Sequence, residues 1–277
     1  NKKVIYLSNV NNRWNITTDK SNDHLTSDNV ILSAGTINTA KLLRRCKLSK
    51  TAGKKFQMHP TIKVVCKFNE KVNHIGMGVP VHQVSNDKKK YSFGCSISSI
   101  PFLRAGLLEY PEAYSNLQRT WEYMAIYYCM IIPEGFGSII NMPYFRDPLI
   151  KYNLTQNDKR NLATGFKQLC KLLISAGGVK LYPSIYDGPV ISNENDIALL
   201  PDVINPKNTS LMSVHLFSSC PIGEDRNICV ADSFGKVNGF DNLYICDGSM
   251  IPSAPGVNPQ GTIMAIASRN VDRILNK

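Results

Sequence analysis

The sequence lacks the long apolar run that a membrane-crossing helix requires. Its longest candidate, Met124–Ile132, stops well short of the roughly 18 residues needed. It also lacks paired cysteines. The eight present form no CxxC and no Cys/His cluster at zinc spacing, so no metal site is expected. Cys66 in TIKVVCKF and Cys246 in LYICD lie in apolar strand-like runs and read as reduced core thiols, which points to a cytoplasmic setting. GxSxG, HExxH and Walker-type loops are missing, and the GFG at 135–137 has no strand-to-helix context, which removes the common hydrolase, metalloprotease and nucleoside-triphosphatase signatures. There is no internal repeat, no low-complexity segment and no charged-then-apolar leader after Asn1. The start is therefore expected to be a processed end or an internal point of a longer chain.

What is present is globular: 277 residues, 43% hydrophobic and 19% charged, enough for one large domain or two modest ones. The net charge of +11 is concentrated in residues 1–90, which hold seventeen Lys/Arg against five Asp/Glu. Those lysines are scattered, and Lys88–Lys90 beside Asn86 and Asp87 reads as a turn. No aromatics are interleaved for base stacking, so a solvated face is expected and no nucleic-acid partner.

Residues 4–8 and 13–18 alternate like a hairpin around Asn11-Asn12. Val30–Ser33 is strand-like, Ala34-Gly35 is a small-residue turn, and Asn38-Thr39 is placed to cap a helix over Ala40–Cys46. TIKVVCKF, YSFGCSIS, EYMAIYYCMII and GSIINMPY predict a mostly antiparallel sheet with few helices. A helix follows, with Thr155 as N-cap, an apolar stripe at Leu162, Phe166, Leu169, Leu172 and Leu173, and Gly177-Gly178 as its end. Asp196–Leu200 predicts one short helical piece. Strands are expected at Met212–Phe217 and Leu243–Cys246, then a closing helix from Pro259.

That last stretch, DGSMIPSAPGVNPQGTIMAIASRNVDRIL (247–275), carries more polarity than a connection needs. Ile263, Ile266, Ala267, Val271, Ile274 and Leu275 share one helical stripe. Asn258 precedes Pro259, which favours Pro259 as the first helical residue and Asn258 as N-cap. The free N–H groups of Gln260, Gly261 and Thr262, with the helix dipole, then offer a partial positive charge to an anion or a polarised ligand. Read alone, Asn258 simply caps its own helix. His215, in the strand-like run SVHLFSSCPIGED, likewise reads alone as a satisfied core histidine. His24, His59, His74 and His82 are less distinctive still.

Four stretches together resemble the glucose–methanol–choline (GMC) oxidoreductase family. NVILSAGTINTAKLL resembles the strand-turn-helix late in that family's FAD domain. GKKFQMHP resembles the Gly-to-His-Pro segment that follows, with Met58 where the family often has Asp. HLFSSCPIG resembles its histidine-to-glycine signature, and GKVNGFDNLYICDGSMIPSAPGVNPQGTIMAIASRNV its closing strand, loop and helix. The segment 147–178 is similar to sequence from the sterol and long-chain-alcohol branches.

The resemblance implies an α/β (α+β) chain. It would be the C-terminal part of a Rossmann-like FAD/NAD(P)-binding flavoprotein fold, with a substrate domain of antiparallel sheet plus helices. Residues 1–60 would be the late part of the FAD domain, 61–210 the substrate domain, and 211–277 the closing FAD segment with the active site. The implied activity is FAD-dependent oxidation of a CH–OH group in an alcohol, sugar or sterol, with the hydride passing to flavin N5. His215 and Asn258 match the family's catalytic positions. Ala34 and Gly35 match the turn at the nucleotide end, and Asp247 and Gly248 the ribityl and pyrophosphate region. Asn258, Pro259 and Gln260 match the helix start that faces the flavin pyrimidine. The family's N-terminal GxGxxG is absent from this sequence, so a separate N-terminal FAD-domain chain is an expected partner. The competing reading is an inactive truncated remnant or a non-catalytic substrate-binding fragment.

Overall fold

Asn11 and Asn12 both adopt left-handed backbone angles, with φ of 51° and 64°. Asparagine tolerates that region, and two such residues in succession match the twist of a tight hairpin. Strand β1 (Val4–Val10) therefore pairs antiparallel with β2 (Arg13–Thr18), as the alternation predicts. The computed structural model describes residues 2–20, 24–78, 80, 83–86 and 91–276; His82 and the turn expected at Lys88–Lys90 lie outside them. The chain continues through β3 (His24–Ser27), β4 (Val30–Leu32), α1 (Gly35–Arg45), β5 (Gln57–Met58), β6 (Thr61–Phe68), β7 (Gln83–Asn86) and β8 (Tyr91–Ser96). Next come α2 (Ile100–Gly106), α3 (Pro111–Thr120), β9 (Met124–Ile131), β10 (Gly137–Ile140) and β11 (Leu149–Tyr152). The last elements are α4 (Gln156–Ser175), β12 (Gly178–Pro183), β13 (Leu216–Phe217), β14 (Leu243–Ile245) and α5 (Gln260–Leu275).

These elements fall into two units. The first comprises Asn1–Met58, Gly135–Asn153 and His215–Lys277. Its central pairing is parallel: β14 lies against β4 with Leu243 opposite Val30 and Ile245 opposite Leu32. Trp14, fully buried in β2, donates from Nε1 to Asn242 Oδ1 at 2.9 Å. Asn242 Nδ2 in turn donates to the carbonyls of Asn12 and Asp28. One buried amide thereby fixes the β1–β2–β3 meander to the loop that enters β14, satisfying groups that would otherwise be costly to bury. Leu7, Leu32, Ala40, Leu43, Leu243 and Ile245 belong to the apolar core of this unit.

The second unit, His59–Glu134 and Leu154–Val214, holds a five-stranded antiparallel sheet in the order β12-β6-β9-β8-β7. Side chains of β6 alternate between faces. Ile62, Val64 and Cys66 cluster with Leu162, Phe166, Leu169 and Leu173 of α4, whereas Val65 clusters with Leu103 of α2, Leu107 just after it and Leu117 of α3. A methyl group at Gly165 of α4 would stand 2.7 Å from Cys129 Sγ, so the glycine lets the helix sit close on the sheet.

The Thr155 N-cap forms as expected, as a capping box with Asp158, and Gly177 (φ 94°) follows the helix end. Other expectations need correction. Leu172 is 49% exposed and leaves the stripe. GSII pairs with β11 in a separate two-stranded sheet rather than joining the large one. Helices α2 and α3 fill a region expected to be strand-rich. Strand β13 is only two residues long, because Met212 bridges to Thr61 in the second unit instead. All eight cysteines are unpaired, and five are buried. Among the described residues no helix is long and apolar enough to cross a membrane, and no group of three His, Cys, Asp or Glu is placed to hold a metal.

Candidate active site

The start of α1 is set by a residue more than two hundred positions away. Asp247 follows β14, and its Oδ2 accepts from Gly35 N at 2.9 Å and from Thr39 Oγ1 at 2.5 Å. Its Oδ1 accepts from Ser249 N at 2.8 Å, opening a short 3-10 turn over Gly248–Met250. A buried carboxylate at a helix N-terminus satisfies its free N–H groups and complements the dipole. That is why α1 begins at Gly35, five residues before the start predicted from Asn38-Thr39, and why Thr39 lies inside the helix rather than capping it. Gly35 takes φ of 82°, which favours glycine.

Asp247→Ala is expected to destabilise the first unit by about 3 kcal/mol, since three donors would lose a charged, buried acceptor. A urea titration followed by circular dichroism measures this; an unchanged midpoint would show that the carboxylate does not hold α1.

The segment after His215 is bound to the same helix end. Thr36 Oγ1 donates to Leu216 O at 2.7 Å, and Ser219 Oγ donates to Thr36 O at 2.6 Å. Cys220 N donates to Ser249 O, joining this segment to the 3-10 turn. Burial, with a smaller contribution from the Asp247 charge, pushes the Cys220 thiol up to about 12, so it stays an inert core thiol. Between these threads lies Gly248. A Cβ there would stand 3.1 Å from Leu216 O, 3.2 Å from Thr36 Oγ1 and 3.4 Å from Ile263 Cδ1. Ile263 belongs to the first turn of α5 and packs with Phe217, Ile251 and Ala254. Strand β13, the α1 start, the 3-10 turn and the α5 start thus converge around one glycine.

His215 is half-buried, its ring centroid 6.5 Å from that of Phe217. Burial lowers its pKa from the ordinary 6.5, so the neutral imidazole, a proton acceptor, dominates at pH 7. Asn258 is exposed and Pro259 buried. The N-cap of α5 is Pro259 rather than Asn258, because the Pro259 carbonyl accepts the first helical bond, from Ile263 N at 2.8 Å. Asn258 therefore stands one residue before the cap. Gln260 and Gly261 are exposed.

A flat polar cofactor needs open backbone, and this cluster provides it. A Cβ at Gly35 or at Gly261 would meet nothing within 4 Å. Ala34 is exposed beside Gly35. Open backbone of this kind is present at the α1 start and at the α5 start.

Ser218 has no signal in the sequence. It takes φ of 61°, and its buried hydroxyl has no partner among the described residues. Strain of this kind in a non-glycine residue concentrates at functional sites, and here it lies three residues after His215. A lone serine between Phe217 and Ser219 carries no pattern that periodicity could detect.

Known proteins of similar sequence and fold identify the family. The GMC oxidoreductase family profile matches residues 143–267. An uncharacterised GMC-type oxidoreductase of Sinorhizobium fredii is 36% identical over 248 residues, 89% of this chain and 49% of that protein. A long-chain-alcohol oxidase of Arabidopsis thaliana is 26% identical over 279 residues, 89% of this chain and 36% of that protein. The chain therefore spans about half the length, or less, of these two relatives. In fold it resembles pyridoxine 4-oxidase from Mesorbium loti, with a TM-score of 0.69 over the whole of this chain and 57% of that one, at 14% identity. With its mixed α/β architecture and antiparallel sheets, the chain belongs to the GMC oxidoreductase family.

Proposed function

We propose that this chain supplies the catalytic and part of the cofactor-binding machinery of an FAD-dependent oxidoreductase acting on the CH–OH group of an alcohol, a class that includes sugars and sterols. The observation that carries the reading is the convergence of four segments on Gly248, with open backbone at Gly35 and Gly261 and a half-buried histidine one residue before β13. In this reading residues 1–60 and 211–277 serve the FAD-binding domain and 61–210 the substrate-binding domain.

Ala34, Gly35 and Gly248 would hold the nucleotide and ribityl parts of FAD through backbone. Asp247 would act there by fixing the α1 start. Gln260 and its neighbours, whose N–H groups open the helix, would hold the flavin pyrimidine, where the helix dipole favours negative charge. Bound FAD supplies the hydride acceptor. His215 takes the hydroxyl proton of the alcohol, which a neutral imidazole is suited to do. Asn258 orients the substrate oxygen through its side-chain amide.

The dinucleotide-binding loop, GxGxxG, is not in this sequence, and we propose that an N-terminal FAD-domain polypeptide provides it. Co-expression of the chain with the polypeptide encoded immediately upstream should yield a yellow protein whose flavin is bleached anaerobically by primary alcohols. A colourless assembled protein, or bound flavin that no alcohol bleaches, would establish the competing reading of an inactive remnant.

A further inference from the structure

A cavity of about 290 Å³ opens on the sheet face of the second unit that α2 partly covers, near the lower size limit of small-molecule sites. Its walls are largely apolar and aromatic, with Val65, Ile126, Phe102, Tyr182 and Tyr186 among them. Three rim residues are large and exposed: Phe102 at 50%, Leu108 at 65% and Tyr186 at 45%. Clustered exposure of this kind marks a binding site rather than ordinary surface.

One wall residue does not fit an apolar pocket. Lys63, the third residue of β6, lines the cavity and is half-buried. Its ammonium donates to Ser96 Oγ at 3.0 Å, and no carboxylate among the described residues pairs with it. Glu109, the one acidic residue of the rim, is exposed to water and forms no ion pair with it. Burial alone lowers the Lys63 pKa. A partly desolvated ammonium with one neutral hydrogen bond has donors to spare and no counter-charge, and its natural complement is a single anionic acceptor.

We propose that this cavity binds a small carboxylate with an apolar, preferably aromatic, body, its carboxylate on Lys63 and its body against Phe102, Tyr182 and Tyr186. A carboxylate matches one point charge better than a phosphate, which demands several donors at once. The proposal concerns the second unit alone and does not depend on the flavin reading.

The test is isothermal titration of the full chain with benzoate and with its neutral analogue benzyl alcohol. Benzoate is expected to bind about tenfold more tightly than benzyl alcohol, the difference a charge-assisted hydrogen bond provides. Lys63→Met, which keeps the apolar stem, is expected to abolish that preference while leaving benzyl alcohol binding unchanged. Phe102→Glu, at the exposed rim, provides a second arm by weakening benzoate selectively. Equal affinity for the two probes, no saturable binding of benzoate, or a preference that survives Lys63→Met would each overturn the proposal.

Discussion

Replacing His215 with alanine in the flavin-loaded protein is expected to slow alcohol-dependent flavin bleaching by about 10²–10⁴-fold, the range contributed by a positioned acid or base. Flavin should remain bound, because the backbone at Gly35, Gly248 and the α5 start is untouched by the change. The surroundings of His215 also set the pH dependence. Its pKa is lowered by burial from 6.5, so the proton-accepting form is present above that lowered value and is lost as pH falls through it. The acid limb of the wild-type bleaching rate should therefore lie below pH 6.5, and it should vanish from the residual rate of His215→Ala. Stopped-flow mixing with alcohol across pH measures both. A residual rate that keeps the same acid limb would assign proton removal to another group.

What the sequence could show was set by how local the determining contacts are. The β1–β2 hairpin was legible because Asn11-Asn12 dictates its own turn, and α4 because Thr155, Asp158 and Gly177 mark both ends within one segment. The parallel sheet element was legible only as a strand, a small-residue turn and a helix. Its helix start was misplaced because the group that fixes it, Asp247, lies 212 positions from Gly35. Short helices escape for a different reason. In α2 only Leu103 is buried, too few positions to register a helical period. Proline at the first turns of α2 and α3 reads equally well as a strand end or a loop.

The candidate site divides the same way. His215, Asn258 and Gly248 are assigned through resemblance alone; read without it, His215 is a core histidine and Asn258 a helix cap. The packing of β13, the α1 start and the first turn of α5 around Gly248 belongs to tertiary structure. The strained Ser218 had no signal at all. In sequence Lys63 is one more lysine of a basic N-terminal third, and only its half-buried place on β6, with no carboxylate paired to it among the described residues, distinguishes it.

If the start of α5 lies against the flavin, Gly261→Leu should expel it. In the protein as folded, a Cβ at this position meets nothing within 4 Å, and the residue is exposed in the first turn of a helix. Replacing glycine there removes a poor helix former and should leave stability unchanged or raise it by less than about 1 kcal/mol. A bound isoalloxazine would occupy that same open space, so a leucine side chain should exclude it. The assembled protein carrying Gly261→Leu is thus expected to melt without its flavin at the wild-type temperature or slightly above, yet to retain no flavin through gel filtration. A Gly261→Leu protein that emerges as yellow as wild type, with an equal ratio of flavin to protein, would show that the flavin does not lie against the start of α5.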